Sequence, residues 1–227
     1  MIRRVWSLLI LFTFVLGGVA YGGTNPGVAP AQSSPYGKSY SAWAASWWQW
    51  VLETPASVTP ILDATGENCA QGQSGRVWFL AGAFGSDPVT RDCTVPRGRA
   101  LFLPLINLAY FAFLNDPPAT RTEEFIRSQI TCVEDATFAV VEIDGVNVVN
   151  PGQYLEKSVV FDVLLPEDNL FGATGADIPE LTLSPSADEG FYLFVAPLAP
   201  GTHTIRWQAS SAACGFGQDI TYHLTVK

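Results

Sequence analysis

Positive charge is scarce in this sequence: 12 lysines and arginines stand against 21 acidic residues, and no basic run occurs beyond Arg3-Arg4. So acidic a surface repels phosphate backbones, which excludes nucleic acid as a partner and disfavours anionic lipid for the same reason. Histidine is rarer still, limited to His203 and His223, and no CxxC or HxxxH spacing is present, so the common zinc sites are excluded. No nucleotide motif occurs and nothing calls for a cofactor. After the first twenty residues no apolar run is long enough to span a membrane, because Pro104 and Asn107 break the stretch from Leu101 to Leu114. The absence of any repeat of 20–50 residues excludes solenoids and propellers. Charged residues make up only 15% and aromatic ones 12%, the balance of a packed core rather than of a disordered chain.

What is present begins with an export signal. Arg3 and Arg4 precede an almost unbroken apolar stretch from Val5 to Val19, and Gly17-Gly18-Val19-Ala20 supplies small residues for cleavage after Ala20. Ala29-Pro30-Ala31 offers a second cleavage site. A membrane anchor would need a longer stretch than this one. The expected organisation is a signal peptide over 1–20, an extended Gly/Pro/Ser-rich lead-in over 21–37, and one domain over 38–227, delivered to the periplasm or the extracellular space. Cleavage removes two basic residues and no acidic one, leaving 10 basic against 21 acidic, a net charge of −11.

In an exported chain, an even number of cysteines favours disulfides. Cys69, Cys93, Cys132 and Cys214 allow three pairings. The favoured one joins Cys69 to Cys93, closing a turn-rich loop, and Cys132 to Cys214, tying a helix end to a late hairpin. Each bond would contribute roughly 3–4 kcal/mol by constraining the unfolded chain.

The fold class reads as mainly β: a two-sheet sandwich or jelly roll with an N-terminal Trp-rich helix and one further short helix. The first helix is expected from Ser39 to about Glu53, ended by Thr54-Pro55. Tyr40, Trp43, Trp47, Trp50 and Val51 fall on one side of it, Ala44, Trp48 and Leu52 widen the apolar arc, and Ala42, Ser46, Gln49 and Glu53 lie on a narrow polar stripe. The second helix is expected from Arg121 to about Cys132, with Thr120 and Glu123 as a capping box. Eight or nine short strands complete the set: Arg76–Ala81, Arg91–Val95, Arg99–Leu105, Phe138–Ile143, Val146–Val149, Ser158–Leu165, Gly190–Ala196, Thr202–Gln208 and Asp219–Val226. Asp144-Gly145 marks a tight hairpin between two of them.

The runs Tyr36-Gly37-Lys38-Ser39-Tyr40 with Trp43 and Trp47-Trp48, Gly72-Gln73-Ser74-Gly75-Arg76-Val77-Trp78-Phe79-Leu80-Ala81-Gly82, and Cys93-Thr94-Val95-Pro96-Arg97-Gly98 resemble a group of uncharacterised bacterial secreted proteins. So do Pro200-Gly201-Thr202-His203-Thr204-Ile205 and Thr221-Tyr222-His223-Leu224. The group carries no assigned activity, so the resemblance implies export and one β-rich domain and transfers no functional residue.

Candidate sites follow from residue type. Trp43, Trp47, Trp48 and Trp50 could stack on sugar rings, but Trp48 lies about 140° around the helix from Trp43, so the four cannot share one flat face. Packing against the sandwich is expected, and a ligand groove or subunit interface rimmed by one or two of these indoles is the alternative. Strand parity puts His203 on the apolar side of its strand and His223 on the solvated side, against a shared site. Ser74 lacks the strand-to-helix setting of a hydrolase elbow and reads as a turn. Asp63 and Glu67, and separately Asp168, offer carboxylates in loops of the kind that bind calcium, without EF-hand spacing. The expected function is binding or structural, in the cell envelope or outside the cell, with polysaccharide or another surface protein as partner. A surface-layer interaction module and an atypical secreted hydrolase are the alternatives.

Overall fold

Burial along the strands divides them into two kinds. In some it alternates residue by residue, and in others it is continuous, the mark of a strand covered on both faces. The structure, a computed structural model, describes residues 25–173, 175–176 and 178–227. The expected signal peptide and the start of the lead-in lie outside these residues. Among them the chain runs α1 (Tyr40–Glu53), β1 (Val77–Phe79), β2 (Val89–Val95), β3 (Ala100–Phe113), α2 (Glu123–Ser128), β4 (Thr137–Ile143), β5 (Val146–Asn147), β6 (Leu155–Lys157), β7 (Phe161–Leu165), α3 (Leu170–Ala173), β8 (Leu181–Val195), β9 (Gly201–Ser211) and β10 (Phe216–Val226). The fold is mainly β, a two-sheet sandwich with a Trp-rich helix.

The first sheet has the order β1-β3-β8-β6, with β7 also pairing with β8, and the second has the order β2-β10-β9-β4-β5. β1 runs parallel to β3, and β2 parallel to β10; every other pair is antiparallel. The turn at Pro96-Arg97-Gly98 therefore does not join a hairpin. It carries the chain from β2 in the second sheet to β3 in the first. The Asp144-Gly145 turn is a true hairpin between β4 and β5, with φ of 52° and 74° at its two central residues, the conformation a type I′ turn requires.

Helix α1 forms where a cap and a stop bracket an apolar segment. Ser39 Oγ accepts from Ala42 N at 3.2 Å, and Thr54, preceding Pro55, turns extended. The helix lies on the first sheet and presses Tyr40, Trp43 and Trp47 toward a ladder of rings. There Phe102 stacks on Tyr192 at 5.2 Å, and Trp43 and Tyr40 meet Phe194 at 5.8 and 6.3 Å. Trp47 Nε1 donates to Leu80 O at 2.9 Å and Trp50 Nε1 to Gln71 O at 2.9 Å. Part of the lead-in is pinned as well: Ala29 N donates to Phe194 O and Tyr40 Oη donates to Ala29 O.

The other face of the first sheet meets the second sheet, where Phe191 packs on Phe138 at 5.0 Å, and α2, whose Ile126 buries beside Ala112 and Ala187. α2 is shorter than the span expected of it, from Arg121 to about Cys132. Its cap is Thr122, whose Oγ1 accepts from Phe125 N, and the helix ends at Ser128. Ile126, Ile130 and Val133 are all buried as the spacing requires. They are reached through a helix, a turn and a 3-10 turn, since Cys132 is bonded to Cys214 in the β9–β10 turn.

Both favoured disulfides are formed: Cys69–Cys93, with Cα atoms 5.9 Å apart, and Cys132–Cys214, at 5.0 Å. No helix among the described residues is long and apolar enough to cross a membrane.

Candidate functional site

Three of the four helix indoles are core. Trp47, Trp48 and Trp50 are buried, and Trp43 is half-buried, with Nε1 donating to Pro35 O and Lys38 Nζ lying 4.7 Å over its ring. They form no exposed platform. Trp47 and Trp48 instead wall a cleft of about 460 Å³ that opens between α1, β3 and the segment around α3. Phe84, Phe111, Phe171 and Phe216 supply further aromatic surface, and among the described residues no charged side chain lines it. Phe84 sits at the mouth, 56% exposed.

Sequence order scatters these walls, and two devices bring them together. Gln218 on β10 grips the 82–85 loop, accepting from Ala83 N at 2.8 Å and donating to Ala83 O at 2.7 Å. Gly82 is needed for that grip, since a Cβ there would fall 2.6 Å from Gln218 Oε1. Asn107 lies opposite Gly190, where a Cβ would fall 2.4 Å from that of Asn107. The glycine makes the space in which the Asn107 side chain settles.

Under the apolar walls runs a polar chain. Asn107 Nδ2 donates to Tyr192 Oη at 2.9 Å, and Tyr192 Oη donates to Asp188 Oδ2 at 2.6 Å. Asp188 is fully buried, and its Oδ1 has no hydrogen-bond partner among the described residues. Burial pushes its carboxyl up to about 7; the Tyr192 hydroxyl, the Trp48 indole and Arg127 act the other way, and Glu189 adds to the rise. The Trp48 N–H is close enough to favour the carboxylate without making a hydrogen bond of ordinary geometry. Burial and the adjacent Asp188 hold the Tyr192 phenol well above its usual range.

Neither Asp188 nor Tyr192 is visible in the sequence as a site residue. The run Ser184-Pro185-Ser186-Ala187-Asp188-Glu189-Gly190 reads as a loop, yet it lies inside β8, central in its sheet. The strand tolerates it because Ser158 Oγ accepts from Asp188 N and Lys157 Nζ lies 3.4 Å from Glu189. Pro185 falls at a register irregularity, where no ladder donor is needed.

The other expected sites are placed apart. Asp63 accepts from Thr65 N and Asn68 N at 2.8 Å each; burial works against its charge, and these amides outweigh it, holding the carboxyl below its usual range. Glu67 is exposed in the same loop. Asp168 Oδ2 accepts from Ser57 N at 3.0 Å, and that hydrogen bonding lowers its carboxyl also. Among the described residues no group of three or more His, Cys, Asp or Glu is placed to hold a metal ion. His203 pairs in register with buried Leu224 and bonds Asp144 Oδ2 at 2.7 Å and Ala199 O at 2.8 Å. The Asp144 partner raises its imidazole above the usual value. His223 is exposed and alternates to the other side of its sheet from buried Leu224, yet both histidines border one hollow there. Ser74 is exposed between Gly72 and Gly75, both at positive φ, in the expected turn.

The second sheet's outer face carries a different depression, of about 500 Å³. Asp92, Thr94, Thr202, Thr204, His223 and Thr225 line it in three neighbouring strands. A third hollow, lined by Asp135 and Asp219, is the setting in which a carboxylate pair could be sought. Asp135 accepts from Ser211 Oγ at 2.6 Å and Asp219 from Gln208 Nε2 at 2.6 Å, contacts that hold the β9–β10 hairpin.

No family model and no curated protein matches this sequence. A solved structure, "Structure of PbICP-C in complex with falcipain-2", aligns with 67% of this chain and 100% of its own at 9% identity, with a TM-score of 0.25. A likeness that slight carries no argument.

Proposed function

We propose that this chain is an exported binding protein of the cell envelope or extracellular space, and that the cleft beneath the tryptophan helix holds a small, largely apolar ligand. The cleft itself carries this reading: about 460 Å³ of aromatic-walled space with a polar chain at its floor. That volume lies within the roughly 300–1,000 Å³ usual for small-molecule sites, and apolar walls with few converging polar groups are their usual lining. Export is supported by the N-terminal signal, by both disulfides and by the resemblance to the secreted group.

Titration with naphthalene-bodied probes tests this, read by the emission of the cleft tryptophans. Saturable binding is expected, and Ala109→Phe, which fills the cleft from β3, should abolish it. No saturable binding by any such probe would sink the proposal.

Polysaccharide is the second reading, and one observation moves it away from the indoles. The hydroxyl-rich depression on the second sheet offers donors and acceptors on an open surface, suited to a hydroxylated polymer. Retention on insoluble polysaccharide that is lost in Asp92→Ala with His223→Ala would favour it. Retention unchanged in that variant would place any glycan contact elsewhere.

A further inference from the structure

We infer that the ligand of the cleft is an organic amine, its flat apolar body between the aromatic walls and its ammonium group on Asn107 Oδ1. This rests on the cleft being the binding site, and adds the chemistry that enters it.

The orientation of Asn107 is decided by its neighbour. The hydrogen of Tyr192 Oη is committed to Asp188 Oδ2 at 2.6 Å, so toward Asn107 this oxygen can only accept. The amide must therefore turn its Nδ2 inward, as observed at 2.9 Å. Nδ2 is thereby turned toward Tyr192, and Oδ1, which accepts from no described group, is the amide oxygen left for the cleft that Asn107 lines. A ligand donor is received at that oxygen.

Charge narrows the class further. Six aromatic rings wall the cleft, and their π faces attract cations. Among the described residues no Lys, Arg or His lines it to oppose one. One hydrogen bond beyond Tyr192 lies Asp188, wholly buried, with an oxygen that no described group partners. An ammonium on Asn107 Oδ1 polarises the amide, strengthens its donation to Tyr192, and through it favours the Asp188 carboxylate. The groups that bear on Asp188 are Tyr192 beside it on β8, Trp48 from α1, Glu189, and Arg127 from α2. A carboxylate ligand would meet the same arrangement with every sign reversed.

Calorimetry on the full exported chain with three probes sharing one ring system tests the inference: 1-naphthylmethylammonium, 1-naphthylmethanol and 1-naphthoate. The ammonium is expected to bind at least about tenfold tighter than the alcohol, and the carboxylate weakest. Asn107→Leu should erase the ammonium's advantage. A check that needs no variant is the pH dependence of the unmodified protein. Between pH 6 and 8 affinity for the ammonium should rise several-fold, and affinity for the alcohol should not. Equal binding of ammonium and alcohol, or tightest binding of the carboxylate, overturns the amine while leaving the cleft a binding site. Binding of none of the three overturns the cleft and the amine together.

Discussion

The two sheets bury their strands differently, and the difference follows from what covers them. In the first, β8 is buried without a break from Ser186 to Val195, because α1 lies on one face and the second sheet with α2 on the other. In the second sheet, β2 and β10 alternate, with Arg91, Cys93 and Val95 inward and Thr90, Asp92 and Thr94 outward. A sheet between two layers can hide polar residues that its neighbours satisfy, and the Asn107–Tyr192–Asp188 chain lies there. A sheet with one wet face keeps its polar residues in solvent, where they form a surface rather than a pocket. The cleft belongs to the first sheet for that reason.

The largest expected effects come from cutting what binds the two sheets together. Cys132–Cys214 joins the segment after α2, on the first sheet's side, to the β9–β10 turn of the second and closes a separation of 82 residues. Replacing both cysteines by alanine should lower unfolding free energy by about 4–5 kcal/mol, against about 3–4 kcal/mol for the Cys69–Cys93 pair with its separation of 24. Urea denaturation measures both; equal losses would mean that the longer bond does not act as a staple between the sheets. Trp47→Ala strips part of the helix layer from the first sheet. Trp47 is 1% exposed and hydrogen-bonded to Leu80 O, so a loss of about 3–5 kcal/mol is expected. A loss below about 1 kcal/mol would show that α1 is an ornament on the sheet and not one of its layers.

The same contrast explains what could be read in advance. Alternation in β9 and β10 and the Asp144-Gly145 turn were legible because an exposed face writes itself into the sequence as every second residue. The tryptophan helix was legible by its period and its cap at Ser39. Sequence signals end β3 at Leu105 and begin β8 at Gly190, because Pro104, Asn107, Asp188 and Glu189 signal loops unless their partners are known. Arg91 lies within the expected strand Arg91–Val95, but its burial is unreadable from residue type. It sits 1% exposed on the inner face of β2, its guanidinium donating to Ala81 O and Asp63 O. The floor of the cleft is made of such residues, so its site was the part least readable from composition and period.

A pH experiment on Asp188 sharpens the comparison. Its carboxyl is raised from 3.8 to about 7 in the folded chain, chiefly by burial. The unfolded chain therefore releases this proton near pH 4 while the folded chain keeps it. The contribution to stability is fully present below pH 3.8 and falls as pH rises, by about 1.4 kcal/mol per pH unit, until the folded group ionises near 7. Asp188→Asn removes that loss. At pH 8 it should be more stable than the parent by about 2–3 kcal/mol, allowing for an unpaired buried amide N–H. At pH 4 the advantage should vanish or reverse. An advantage that does not change with pH would mean that Asp188 is ionised in the fold throughout, and that the first sheet hides no neutral acid.

The smallest expected effect is the most discriminating, because it compares neighbours. On β10, Leu224 is 1% exposed and Thr225 faces outward beside Thr94 and Thr202. Leu224→Ala should cost about 2–5 kcal/mol, whereas Thr225→Ala should stay within about 0.5 kcal/mol of the parent. On β8 the same one-residue step, from Leu193 to Phe194, passes between two side chains that are both 0% exposed. There both alanine substitutions should be costly, Phe194→Ala by about 3–5 kcal/mol. The pattern of losses would then alternate along the second sheet and run unbroken along the first. If Thr225→Ala proved as costly as Leu224→Ala, the outer face of the second sheet would be covered in solution, and a partner would have to be found lying on it.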